Sequence, residues 1–417
     1  MRRESDSTTG SLADPTADHV LVTGLGATTP LGGTAPATWQ AMLDGRNGIR
    51  AIERDWTVEL PIRIAGQLAV EPSEVLDRVE ARRLDRSEQL ALIAAREAWA
   101  DAGRPEVDGE RLAVVIGTGT GGAVTMLDQD DVLERSGVRK VSPHTVPMLM
   151  ANGPAAWVSI DLGARAGAHT PVSACASGAE AVALGLDLIR LGRADVVVAG
   201  GTEACLHPLP LAGFAQARAH SLRNHDPEHA SRPFDLDRDG FVIGEGAAVL
   251  VLERASLRPD RRAYATLAGA AVTSDAHHIT AGHPDGQSRA VRRALAEARV
   301  SPEQIGMVHA HATSTPKGDL TEAETLARVF GPHRPAVTAT KSMTGHLFGA
   351  AGALAALATA YSLHDQLVPP IRNLTTPDPA ADLDLVTAAA RPVTTGAALA
   401  NAFGFGGHNA SLVFTRA

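Results

Sequence analysis

The sequence predicts an α/β protein built from two fused, pseudo-symmetric copies of one unit. Short apolar strands alternate with helices and glycine-rich turns along the whole chain, the signature of a layered α/β fold. The order of elements then repeats. TPVSACASGAEAVALGLDLIRLG in the first half has the same strand, small-residue turn and small-residue helix as AVTATKSMTGHLFGAAGALAALATAYSLH in the second. LAVVIGTGTGG is matched by IGMVHAHATSTPKGD, and VVVAGGTEA by LANAFGFGGHN, which sets a boundary near residue 260 and halves at 19–260 and 261–417.

Residues 1–18, MRRESDSTTGSLADPTAD, have a basic start and no apolar core; they fail as a signal peptide and read as a disordered leader. Strands are expected at 19–23, 112–117, 170–173, 196–200 and 247–252, then at 263–272, 307–311, 336–340 and 410–415. An amphipathic helix spans 87–102 and is stopped by Gly103 and Pro105. The two Ala/Gly-rich helices after SACASG and KSMTGH are apolar on every side, so they should be buried face to face in the middle. The stretches 226–239 and 373–383 read as ordered surface loops.

Composition narrows the function classes. The 417 residues are 44% hydrophobic and 20% charged, as in a soluble globular protein with large cores. A net charge of −9 argues against a general nucleic-acid binder, and 3% aromatics against stacking platforms for single strands. Two cysteines cannot supply a disulfide framework or a thiolate zinc site, so a reducing cytoplasm fits best. Nothing resembles a membrane span. Only three of the 38 basic residues are lysines (Lys140, Lys317 and Lys341), which makes each worth examining.

Cys175 stands where a strand gives way to a helix, among residues small enough for a tight turn. The setting resembles a nucleophile elbow with a thiol in place of the hydroxyl, and a helix N-terminus favours the thiolate. A lone cysteine is more often a buried structural residue, and Cys205 is assigned that role. His309 and His311 lie two apart on a strand, one of them expected to face outward; no third ligand has recognisable metal spacing. Thr313 and Thr315 follow at alternate positions. Lys341 and His346 occupy the corresponding turn of the second repeat, so Cys175 and His346 should converge on one cleft. GFGGHN, from Gly404 to Asn409, reads as a turn whose backbone N–H groups can approach a ligand, or as a simple hairpin. TGLGATTPLGG resembles a dinucleotide fingerprint, but Thr29 replaces the third glycine and Pro30 follows, so a nucleotide site is rejected.

SACASG, SRPFDLDRDGFVIGEGA, HATSTPKGD, KSMTGHLFGAAGA and NAFGFGGHN, in that order, resemble the motifs of type II β-ketoacyl-[acyl carrier protein] synthases of the thiolase superfamily. The likeness spans residues 19–417. It implies a five-layered αβαβα sandwich and decarboxylative Claisen condensation of an acyl chain with malonyl-carrier protein in fatty-acid-type elongation. It also implies a dimer paired through the strand at 170–173, with no metal or organic cofactor. Its alternative within the family is a ketosynthase of a polyketide or polyene system beside a cysteine-less chain-length factor, which would make a heterodimer. Cys175 argues against this chain being that factor. A degradative thiolase would need a second cysteine in GFGGHN, and a Cys–His–Asn initiating synthase would lack His346.

By the same resemblance Cys175 accepts the acyl chain, while His311 and His346 bind the malonyl thioester oxygen as an enolate forms. The N–H groups of Cys175 and Phe405 form a second oxyanion hole, with Phe405, between Gly404 and Gly406, as a gate. Thr313 and Thr315 meet the phosphopantetheine arm of acyl carrier protein, whose acidic surface is expected to dock on Arg78, Arg82 and Arg83. Three positions depart from the family pattern: Ala312 for a glycine, Thr120 for an aliphatic residue along the acyl tunnel, and Ala355 for a glutamate that partners the KSMTGH lysine. A buried ammonium needs a counter-charge. Glu322, three residues after Asp319 in the segment flanking His311, is the expected replacement for Lys341.

Overall fold

The computed structural model describes residues 19–257 and 262–417; the expected leader and the boundary near residue 260 lie outside them. Its centre is an eleven-stranded sheet that divides into two matching halves. The first half holds β1 (Val20–Thr28), β2 (Leu112–Gly117), β3 (Ala168–His169), β4 (Val196–Glu203) and β5 (Gly246–Arg254), in the order β3-β2-β4-β5-β1. The second holds β6 (Ala265–Ser274), β7 (Ile305–His309), β8 (Ala336–Thr338), β9 (Asp384–Leu385), β10 (Ala397–Gly404) and β11 (His408–Thr415), in the order β9-β8-β7-β10-β11-β6. Stripped of β9, the second order is the first repeated, with the same antiparallel and parallel pairings at each step. The halves join through two residue pairs of β1 and β6, Leu21 with Thr266 and Val22 with Ala265.

The helices make the layers. α1 (Arg86–Asp101) and α2 (Gly153–Leu162) cover one outer face through a core containing Leu90, Ile93, Val114 and Val158. α3 (Ser177–Arg190) and α6 (Ala351–Asp365) share a single apolar core with residues of both half-sheets, so they form the middle layer. α4 (Pro284–Ala298) and α5 (Pro316–Phe330) cover the other outer face. The helices of the middle layer meet face to face, as the sequence predicts. A Cβ on Gly178 would stand 2.7 Å from Gly349 O and 2.8 Å from Ala353 N, a separation only glycine permits.

α1 begins one residue early because Asp85 caps it, accepting from Ser87 N while Glu88 reaches back to Asp85 N. β1 runs five residues further than expected, through the glycines of TGLGATT, because α1 lies directly on it: a Cβ on Gly26 would be 2.0 Å from Ala94 O. The strand expected at 170–173 is instead the two-residue Ala168–His169; Pro171 has no N–H to give a ladder, and the chain turns away toward Cys175. β7 starts and ends two residues early, which leaves His311 in the loop beyond the strand. β10 was indicated only by the match of LANAFGFGGHN to VVVAGGTEA, not by its own residues. Its sequence, AALANAFG, is poor in β-branched residues and gains its strand state from neighbours on both sides.

The strand ends, turns and helix starts of the two repeats correspond closely. The turn Ala174–Ala176 leads into α3, and the turn Phe348–Ala350 leads into α6. Each turn opens on a residue with left-handed backbone, φ +52° at Ala174 and +40° at Phe348. Gly349 therefore stands where Cys175 stands, and Glu203, the last residue of β4, stands where Gly404 ends β10.

Candidate active site

Cys175 lies one residue past a strained backbone. A non-glycine residue at positive φ persists only when its surroundings fix it. Here the Ser177 hydroxyl does so, accepting from Ser173 N at 2.9 Å and lying 2.7 Å from Ala174 O. The sulfur is buried in the small cluster that also holds Phe241, Phe348 and Cys205. Burial pushes the Cys175 thiol up to about 11, against the opposing pull of the Lys341 charge and of the N–H groups of Phe405 and Cys175 itself. The expected thiolate is thus corrected: desolvation outweighs the helix dipole, and the resting group is a thiol. Cys205 is likewise held as a thiol by burial.

The β10–β11 hairpin brings Phe405 to this sulfur. Gly406 and Gly407, both at positive φ, turn the chain, and Gly406 N donates to Ile279 O at 2.6 Å. Phe405 itself is 43% exposed, so its ring stands at the mouth while its N–H faces inward. Both readings of GFGGHN hold together: it is a hairpin and it presents a backbone donor.

The histidines separate by environment. His309 does not face outward; it is buried, with Nε2 3.0 Å from Thr340 Oγ1. His311, just past the strand, sets its ring 5.5 Å from that of His346 and 5.9 Å from Phe403. His346 Nδ1 accepts the N–H of Phe348 at 3.3 Å, so in the neutral ring the proton sits on Nε2. That Nε2 is buried and has no hydrogen-bond partner among the described residues. Burial, reinforced by the Lys341 charge, holds His311 and His346 well below the usual histidine range. They are neutral N–H carriers.

Lys341 and Glu322 meet through the His311 peptide segment. Lys341 Nζ donates to His311 O, while Glu322 Oε1 accepts from His311 N at 2.8 Å and Oε2 from Ala312 N at 2.7 Å. No ion pair within 4.0 Å joins the two side chains among the described residues. The expected counter-charge therefore acts through space, as the largest influence opposing burial at Lys341, which is lowered to about 8. Asp319 takes the next stretch of the loop, accepting from Thr313 N, Ser314 N and Phe234 N. Ala355 is buried within α6, where its carbonyl accepts from Thr359 Oγ1.

At the mouth the hydroxyls of Thr313 and Thr315 lie 3.1 Å apart and half-buried. Arg78, Arg82 and Arg83, on and after the single helical turn Arg78–Ala81, are exposed and make no ion pair among the described residues. Their neighbours are committed elsewhere, Arg86 to Glu71 and Glu245 and Arg96 to Glu80 and Asp161. Thr120 is exposed, and its hydroxyl donates to Glu203 Oε1 at 2.7 Å. Sequence reasoning missed Glu203 and also Asn401, whose side chain donates to Glu322 at 3.3 Å. An acid closing the otherwise apolar VVVAGGTE was a usable signal for the first; the second opens the motif NAFGFGGHN, but its partner lies 79 residues away in the sequence. No group of three or more His, Cys, Asp or Glu among the described residues can hold a metal ion.

Comparison with known proteins agrees with this geometry. Residues 17–258 match the family model for the β-ketoacyl synthase N-terminal domain, and residues 264–375 that for its C-terminal domain. The 3-oxoacyl-[acyl-carrier-protein] synthase 2 of Synechocystis is 43% identical over 407 residues, covering 95% of this chain and 98% of the relative. The solved ishigamide ketosynthase/chain length factor superposes with TM-score 0.90 at 31% identity, over 96% of this chain and 99% of that one. A type II polyketide ketosynthase in complex with its acyl carrier protein, AntDE:AntF, superposes with TM-score 0.88 at 31% identity and the same coverage. The thiolase-like layers, the elbow cysteine and the paired histidines thus have one common explanation: this chain belongs to the β-ketoacyl synthase family.

Proposed function

We propose that the chain extends acyl chains by decarboxylative condensation on acyl carrier protein, with Cys175, His311 and His346 as the catalytic residues. The Cys175 sulfur attacks the acyl thioester; a new thioester forms, and the thiol of the carrier arm leaves with the proton from Cys175. Malonyl-carrier protein then loses carbon dioxide. The electron pair of the broken C–C bond becomes an enolate whose oxygen takes N–H donors from His311 and His346. The enolate carbon attacks the acyl-cysteine carbonyl, whose oxygen faces the N–H groups of Cys175 and Phe405. Collapse expels the Cys175 thiolate, which regains a proton, and leaves the β-ketoacyl product two carbons longer. These steps call on no metal or organic cofactor.

The observation that carries this reading is the buried, unpartnered Nε2–H of His346 beside the His311 ring. A polar group left so is expensive unless a ligand completes it. Intact-mass analysis with acyl-carrier protein tests it: His346→Ala should still acylate Cys175 yet fail to decarboxylate malonyl-carrier protein, and normal decarboxylation would overturn the assignment.

Docking of the acidic carrier on Arg78, Arg82 and Arg83 is supported by their exposure and by the absence of an ion pair to any of them among the described residues. A homodimer is supported by the exposed strand β3 at the sheet's end and by the helix Ala123–Ser136, in which only Thr125 is buried. Pairing with a chain-length-factor-like paralogue in a polyketide system draws support from the ishigamide structure, but the higher identity to the synthase 2 relative favours fatty-acid-type elongation. The cytoplasm is the compartment we assign.

A further inference from the structure

Resting on this assignment of His346, we propose that Glu203 is a positioning residue for decarboxylation: its buried carboxylate fixes the turn that corresponds, in the second repeat, to the Cys175 turn. The duplicated fold makes two corresponding arrangements. In one, the first turn of α3 and the end of β10 offer the N–H groups of Cys175 and Phe405 to the reacting sulfur. In the other, the first turn before α6 offers Gly349 N where Cys175 N stands, and β4 ends at Glu203 where β10 ends at Gly404.

In this second copy the counterpart of Cys175 N, Gly349 N, is taken by Glu203. Glu203 is fully buried and its carboxylate accepts five donors from two segments outside its own strand. Oε2 takes Gly349 N at 3.0 Å and Gly119 N at 2.9 Å. Oε1 takes Thr120 N at 3.2 Å, Thr120 Oγ1 at 2.7 Å and Thr118 Oγ1 at 3.3 Å. A helix N-terminus that meets a side-chain carboxylate is electrostatically satisfied and closed to other anions. The first arrangement is therefore left to the substrate, and in the second the carboxylate fixes a turn.

That turn leads to the chemistry. Gly349 follows Phe348, whose N–H holds His346 Nδ1 and so keeps the proton on Nε2. Releasing Gly349 loosens the left-handed Phe348, and with it the direction in which the His346 donor points. The Cys175 turn packs against the Phe348 turn in one apolar cluster but has a hold of its own in the Ser177 hydroxyl. Loss of the carboxylate should then divide the two half-reactions, which a general loss of stability would not do.

The test uses the full chain with acyl- and malonyl-carrier protein. In Glu203→Gln an amide NH₂ must face backbone donors. Acylation of Cys175, read by intact mass, should be much less affected than malonyl decarboxylation, which falls at least tenfold. For Glu203→Ala, acetate at 100 mM should restore decarboxylation at least fivefold over a chloride control, and should do nothing in the same variant carrying His346→Ala. Wild-type decarboxylation in Glu203→Gln, or equal losses in both half-reactions, would overturn the proposal. If Glu203→Ala does not fold, the Glu203→Gln comparison decides alone. Failure of the assignment of His346 itself is separable, because His346→Ala with Glu203 intact would then decarboxylate normally.

Discussion

Replacing Glu322 with Gln isolates what the charge beside Lys341 contributes. In the folded chain Lys341 is lowered from the ordinary 10.5 to about 8 by burial, with Glu322 the foremost influence holding it up. If the ammonium is the working form, activity is present below pH ~8 and is lost as pH rises through it. Removing the carboxylate charge moves that alkaline limb to lower pH, by about 1.4 kcal/mol of lost interaction for each pH unit. Glutamine also mismatches the site. One of the two N–H groups now held by Glu322, of His311 at 2.8 Å or of Ala312 at 2.7 Å, must face an amide NH₂. A buried donor left without an acceptor costs about 1–3 kcal/mol.

Together these effects predict a loss of condensation of roughly ten- to a hundredfold at pH 7.5, with the acyl-enzyme still forming. The assay is malonyl decarboxylation and condensation measured from pH 6 to 9. Stability provides the control. The unfolded chain binds more protons at Lys341 between pH 8 and 10.5, so this group's contribution to stability rises with pH while activity falls. A declining alkaline limb therefore cannot be unfolding driven by Lys341. Adding Ala355→Glu to Glu322→Gln should recover part of the turnover and move the limb back. Near-wild-type turnover in Glu322→Gln with an unmoved limb would refute the reasoning.

Cys175→Ala should abolish acyl-enzyme formation, and a covalent adduct surviving in that variant would transfer the role to Cys205. Arg82→Glu with Arg83→Glu should raise the apparent KM for carrier-bound substrates while barely changing turnover of small thioesters; equal losses on both would indicate misfolding. Thr120→Ile should shift the length profile of the products while malonyl decarboxylation stays near wild type, since four donors remain on Glu203. An unchanged profile would remove Thr120 from the acyl pocket.

Much of the site was legible because its signals are local. A small-residue turn between strand and helix marked Cys175, and the repeated grammar of the two halves marked the turn that carries His346. The elements that went unread depend on contacts across the fold. β10 lacks strand-forming residues and is made a strand by β7 and β11. The role of His309 turned on a hydroxyl 31 residues away, at Thr340. The ionisation of Cys175 was misjudged because local sequence shows the helix start but not the depth of burial. Glu322 acts on Lys341 through space, and its direct partners are backbone N–H groups, which sequence cannot assign.

The perturbed groups form one electrostatic arrangement. With both histidines neutral, the site presents N–H donors whose protons are not lost to an acidic ring, so charge is met only where the enolate oxygen develops it. Cys175 is asked for the opposite at its two steps: it must give up a proton to attack, and later leave as a thiolate. A thiol raised to about 11 is a poor leaving group unless something meets the departing charge. The N–H groups of Phe405 and Cys175 and the ammonium of Lys341 are the influences that favour the thiolate. Lys341 is in turn kept cationic by Glu322, which also holds the peptide before His311. The carboxylate that fixes one half of the oxyanion pair therefore also sustains the charge that lets the sulfur depart, so enolate formation and sulfur departure, both steps of condensation, are coupled through Glu322 although they use different donors.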